Sequence, residues 1–166
     1  MNIIARLMLV AALALPLTAC KPPEAPKAAE EKPPVAAPTN DDSNAWKVYV
    51  TDVVTRNLDG VTGSAPYVYL LPAEGTADFQ PKYDALRDKA KNDIAYGIPA
   101  GNMLAYSAAS TSSTKIADLV VEAFAEAKPD SLKGVKLLFI GKAADNDRVK
   151  AAVTPTGVNY VFVETK

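Results

Sequence analysis

From Tyr67 onward, short apolar runs alternate with longer stretches in which apolar residues recur every three or four positions. Tyr67-Val68-Tyr69-Leu70-Leu71 is the first run and reads as a buried strand. It is followed by Phe79, Tyr83, Leu86, Ala90 and Ile94, one stripe of a helix that starts near Asp78. Gly97-Ile98-Pro99-Ala100-Gly101 breaks that helix, and Met103-Leu104-Ala105-Tyr106 predicts the second strand. Ile116, Leu119, Val120, Ala123, Phe124 and Ala127 give the cleanest amphipathic pattern of the chain. Beyond the loop from Pro129 to Gly134, Val135-Lys136-Leu137-Leu138-Phe139-Ile140 is the most apolar strand. A short helix around Asp147 to Val153 then leads to a fourth strand, Val158-Asn159-Tyr160-Val161-Phe162-Val163.

Upstream of this alternation, Trp46, Tyr49, Val50, Val53, Val54 and Leu58 recur at helical spacing. Their β-branched content favours a strand, but the spacing gathers every large apolar group on one face, which predicts a helix. Asp41-Asp42-Ser43-Asn44 supplies its capping side chains and Gly60 its C-terminal stop.

Strands that alternate with helices need crossover connections, so the expected fold is α/β. The sequence predicts a small three-layer unit over residues 41–166. It has a mostly parallel four-stranded sheet, helices on both faces, and an additional helix in front. Right-handed crossovers that must cover both faces suggest the strand order 2-1-3-4, with the third strand central and the fourth at an edge.

The first 40 residues follow another pattern. Arg6 precedes an uninterrupted apolar stretch from Leu7 to Leu15, and Pro16 and small residues come just before Cys20, the only cysteine of the chain. Residues 7–19 as a helix would cover roughly 20 Å, short of the ~30 Å hydrocarbon core, so a secretory signal is expected over residues 1–19 rather than a membrane span. Residues 21–40 hold six of the 13 prolines, no aromatic residue and balanced charges. Such a composition predicts a disordered tether of polyproline II character.

Leu17-Thr18-Ala19-Cys20 resembles the lipobox of bacterial lipoproteins at all four positions. The resemblance implies cleavage before Cys20, a diacylglyceryl group on its sulfur and usually a third acyl chain on the new amine. It thus implies a chain anchored to a membrane in the cell envelope. Lipoproteins held at the inner membrane tend to carry Asp after the cysteine. Lys21 stands there, so the resemblance favours the inner, periplasmic face of the outer membrane. It also accounts for a lone cysteine in an exported chain, since a modified thiol is not available for a disulfide.

Charge and composition narrow the function classes. Without Arg6 the net charge is about −2, and no basic face stands out, which argues against nucleic acid as a partner. The chain has no histidine, so it lacks the usual general base near neutral pH and an imidazole for zinc. Carboxylates, lysine and tyrosine remain for catalysis, and whether the protein is an enzyme stays open, with a non-enzymatic role favoured.

In open parallel sheets, ligands bind beyond the carboxyl ends of the strands at the point where the strand order reverses. The candidate ligand-binding residues there are Ser107, Ser110, Thr111, Ser112 and Lys115 in the second loop and Lys142 and Asp145 in the third. Hydroxyls feeding a helix N-terminus suit an anion, though they equally suit helix capping. Ser112-x-x-Lys115 matches the serine–lysine spacing of penicillin-binding proteins, but the companion Ser-Asp-Asn and Lys-Thr-Gly motifs are missing. Gly141-Lys142 fails as a phosphate loop, because Lys136 stands where the first glycine is needed and Ala143 where Ser or Thr is needed. No catalytic residue, metal site or cofactor is expected. The leading expectation is an envelope lipoprotein presenting a binding or scaffolding module to an unidentified envelope protein or cell-wall partner. The alternative is a small-molecule or anion binder, or a minor enzyme, using the loops at the strand ends.

Overall fold

A computed structural model describes residues 33–112 and 114–166. The signal segment, Cys20 and most of the tether lie outside the described residues. The elements run α1 (Ser43–Arg56), β1 (Tyr67–Leu71), α2 (Phe79–Tyr96), β2 (Met103–Ala108), α3 (Thr114–Phe124), β3 (Lys136–Gly141), α4 (Ala143–Val153), a 3-10 turn (Thr154–Thr156) and β4 (Asn159–Glu164). The four strands form one sheet, and every pairing is parallel.

The observed strand order is β1-β2-β3-β4, which corrects the expected 2-1-3-4. The expectation assumed that crossover helices had to cover both faces, and that forces a reversal of direction. Here the chain moves one way across the sheet, so right-handed crossovers put α2, α3 and α4 on the same face. There Tyr83, Ala90, Ile116, Leu119, Val120, Phe124 and Val149 pack on Tyr69, Leu71, Leu104, Tyr106, Leu137 and Phe139. The other face is covered by α1, which buries Trp46, Tyr49, Val50, Val53 and Val54 against Met103, Ala105, Leu138 and Ile140. A helix that precedes the first strand removes the need for a reversal. Its formation follows from the predicted spacing, and Asp42 caps it by accepting hydrogen bonds from the amides of Asn44 (2.8 Å) and Ala45 (3.2 Å).

The same correction changes which strands are central. β2 and β3 are buried along their whole length, whereas β1 and β4 are the edges. β1 was expected inside and β2 outside. β2 consists of small or apolar residues on both faces, as an interior parallel strand requires. β1 instead alternates, and its Val68 remains 46% exposed.

Two boundaries also shift. α4 starts at Ala143, with Asp145 in its first turn, rather than near Asp147. Residues 33–40, read from composition as tether, lie against α1. The Val35 amide donates to Asp52 (3.1 Å), the Trp46 indole donates to the Asn40 carbonyl (2.7 Å), and Ala37 packs on the α1-side core.

Lys136 is a charged residue buried in this sandwich. Lys136 opens β3 on the α1 face, and its ammonium donates to the carbonyls of Asn57 (2.9 Å) and Asp59 and pairs with the Asp59 carboxylate (3.2 Å). It therefore satisfies carbonyls that the C-terminus of α1 and the following turn leave open.

Candidate functional site

The residues singled out in the sequence occupy the carboxyl ends of β2 and β3 and the starts of α3 and α4. Ser107 belongs to the sheet interior. It is buried within β2, and its hydroxyl makes a long bond of 3.4 Å to the adjacent Ala108 carbonyl. The Ser110 hydroxyl accepts from the Ser112 amide at 3.3 Å, which closes a local turn. Thr111 and Ser112 are exposed in that turn. Lys115 points along α3 toward Asp118, 3.9 Å away.

Lys142 donates to the Thr165 carbonyl at 2.9 Å, and the Thr165 amide donates to the Gly141 carbonyl at 2.8 Å. These bonds fasten the C-terminal residues to the end of β3. Asp145 is buried and accepts two bonds from the guanidinium of Arg148, at 3.0 and 2.8 Å. The same guanidinium donates to Asp118 (2.6 Å) and to the Thr114 carbonyl (2.8 Å). Burial pulls the Arg148 pKa down, but the carboxylates of Asp118 and Asp145 outweigh it, and the group titrates above its ordinary value. Arg148 thus ties the first turn of α4 to that of α3. This role is not legible in the sequence, because its partners lie 30 and 34 residues away.

The loops do bring Ser110, Ser112, Lys115, Lys142 and Asp145 to one end of the sheet. Lys115, Lys142 and Asp145 are there engaged with groups of the protein itself. A sheet ordered β1-β2-β3-β4 has no reversal point, the feature that opens a ligand crevice between diverging loops in doubly wound sheets. Among the described residues no group of three acids, cysteines or histidines is placed to hold a metal ion. Nor is any described helix long and apolar enough to cross a membrane.

Two cavities lie elsewhere. One, of about 470 Å³, opens between the C-terminal ends of α2 and α3, with Ile94, Ala123 and Ala127 as apolar lining and an ion pair of Lys91 with Glu126 (3.8 Å) beside it. The other, of about 320 Å³, runs between the β1 edge and α2. Neither is lined by a residue of the candidate set.

A cluster of ionisable groups sits under α2. Tyr69 and Tyr106, opposite each other on β1 and β2, stack at 4.5 Å with nearly parallel rings. The Tyr69 hydroxyl donates to Asp93 at 2.6 Å, Lys89 pairs with the same carboxylate, and the Lys89 ammonium lies 5.1 Å from the Tyr69 ring centre. Burial pushes Asp93 up, but the bonds from Lys89 and Tyr69 more than offset it, and the carboxyl titrates below its ordinary value. Burial holds both tyrosines protonated well above the ordinary phenol range. The Tyr106 hydroxyl is fully buried with no hydrogen-bond partner among the described residues. Two tyrosines in apolar runs gave only a packing signal, and Asp93 reads in the sequence as an ordinary surface acid of α2.

No known protein family, curated protein or solved structure matches this chain.

Proposed function

We propose that this protein is a lipid-anchored component of the bacterial cell envelope, held by acyl chains on Cys20, and that its α/β unit is a binding or scaffolding module. The reading rests on one observation. Leu17-Thr18-Ala19-Cys20 closes an apolar run at the only cysteine of the chain and leads directly into a proline-rich segment. Several acyl chains, at ~0.8 kcal/mol per buried methylene, hold a protein at a bilayer effectively permanently. Lys21 after the cysteine favours the periplasmic face of the outer membrane. The unit is offered to another envelope protein or to a cell-wall partner.

A role in binding rather than catalysis is supported by the way the loop groups are used. Arg148, Asp145, Asp118 and Lys142 bond to one another or to backbone, which makes them struts between helices and strand ends. Replacing Cys20 with Ala tests the anchor. The variant is expected in the soluble envelope fraction, with the parent chain in membranes and released by detergent. Identical fractionation of the two chains would refute the proposal.

A further inference from the structure

We infer that the edge of β1 and the adjoining side of α2 form a docking groove for an extended segment of a partner protein, one with an apolar centre flanked by carboxylates. The inference rests on the binding-module reading above and names the chemistry of the partner.

An edge strand presents unpaired amides and carbonyls, and natural proteins usually protect such an edge with charge, proline or a covering element. β1 is Tyr67-Val68-Tyr69-Leu70-Leu71, without a charge anywhere, and the prolines Pro66 and Pro72 stand only at its ends. Val68 is 46% exposed on the α1 face of this strand. Against its free side runs the cavity of about 320 Å³, lined by Leu70, Pro72, Lys82, Ala85, Leu86 and Lys89. The groove has an apolar centre, two cations and no acid. Asp78 and Asp93, which pair with Lys82 and Lys89 along the helix, are not among the lining residues. Both lysine side chains are more than half exposed, and each ammonium has three donor positions, so each retains donors for an incoming carboxylate.

Spacing fixes the pattern of the occupant. Lys82 and Lys89 are seven residues apart on α2, roughly 10 Å along the helix. Positions i and i+4 on one face of a strand are roughly 13 Å apart, a difference that two flexible lysine side chains span. A strand added to β1 would place a carboxylate at i, an apolar side chain at i+2 over Ala85 and Leu86, and a carboxylate at i+4. Its intervening residues would meet Val68 and Leu70 on the other face. A second copy of this chain fits less well. Across a two-fold axis, antiparallel α2 helices would set Lys82 against Lys89 and Asp78 against Asp93, like charge on like charge.

The test uses the full chain purified in detergent and a fluorescein-labelled peptide with the core Glu-Val-Leu-Val-Glu, read by fluorescence anisotropy. Binding should weaken as salt rises and weaken by about tenfold or more for a Lys-Val-Leu-Val-Lys peptide. A similar loss is expected when alternate peptide amides are N-methylated, and for the Val68→Lys and Lys82→Glu variants. Val48→Lys, on exposed α1 surface, should bind as the parent does, and far-UV circular dichroism should be alike for all chains. No binding, equal binding of the N-methylated peptide, or indifference to both groove variants would overturn the inference. So would self-association that Val68→Lys abolishes while the peptide fails to bind. Membrane fractionation reads the anchor separately. Peptide binding by a chain without lipid would leave the groove standing and remove the anchor, and a lipidated chain that ignores the peptide would do the reverse.

Discussion

Single residues in this fold do their work by closing backbone ends that the elements leave open. Lys136 is the clearest case, since its ammonium reaches from the first position of β3 to carbonyls just beyond α1. Lys136→Met keeps the stem and removes the donors, which leaves those carbonyls short of partners at a cost of ~1–3 kcal/mol. Denaturant unfolding should show that loss, and an unchanged midpoint would mean the bonds contribute nothing net. Asp93 gives a pH-dependent counterpart. Its pKa lies below the ordinary 3.8 in the folded chain, so protonation opposes folding. Its contribution is complete above the unfolded value and is lost as pH falls through the folded one. The stability gap between the parent and Asp93→Asn should therefore be full at about pH 6, narrow below about pH 4 and close at still lower pH. A gap that stays constant across that range would contradict the assignment. Neither role was legible in the sequence, because a lysine inside an apolar run and an acid on an amphipathic helix look alike whether or not a distant partner exists.

Among the elements, the hydrophobic pattern identified the four strands and four α-helices of the described residues, the helices by an apolar face that repeats every 3.6 residues and the strands as short apolar runs. Strand order was not legible in the same way. It depends on which element covers the second face, and Trp46, Val50 and Val54 carry that information only once α1 is seen packed on Met103 and Leu138. The contrast between Tyr67-Val68-Tyr69 and the uniformly apolar or small β2 was the one local clue that β1 is an edge. The candidate site shared this weakness. The loops were located correctly at the strand ends, but their value as a crevice assumed a reversal that the sheet lacks. Leu138, buried between α1 and its own strand neighbours, tests the layer assignment. Leu138→Ala should cost ~2–5 kcal/mol in unfolding experiments, whereas a change within ~0.5 kcal/mol would place the side chain at the surface.

For the whole molecule, the described unit starts at Pro33, beside α1, where the Val35 amide meets Asp52. Counted from Cys20, residues 21–32 are the part of the proposed tether that precedes the described unit. At ~3.1 Å per residue, twelve residues in polyproline II conformation would span roughly 37 Å. A partner for the β1 groove would then be engaged close to the bilayer. All of this depends on the state of one sulfur atom. Intact mass spectrometry of the mature protein extracted from membranes, with fragmentation of its N-terminal peptide, tests it directly. The account predicts a chain beginning at Cys20 with a diacylglyceryl group on sulfur, and a chain that retains residues 1–19 or carries a free thiol at Cys20 would contradict it.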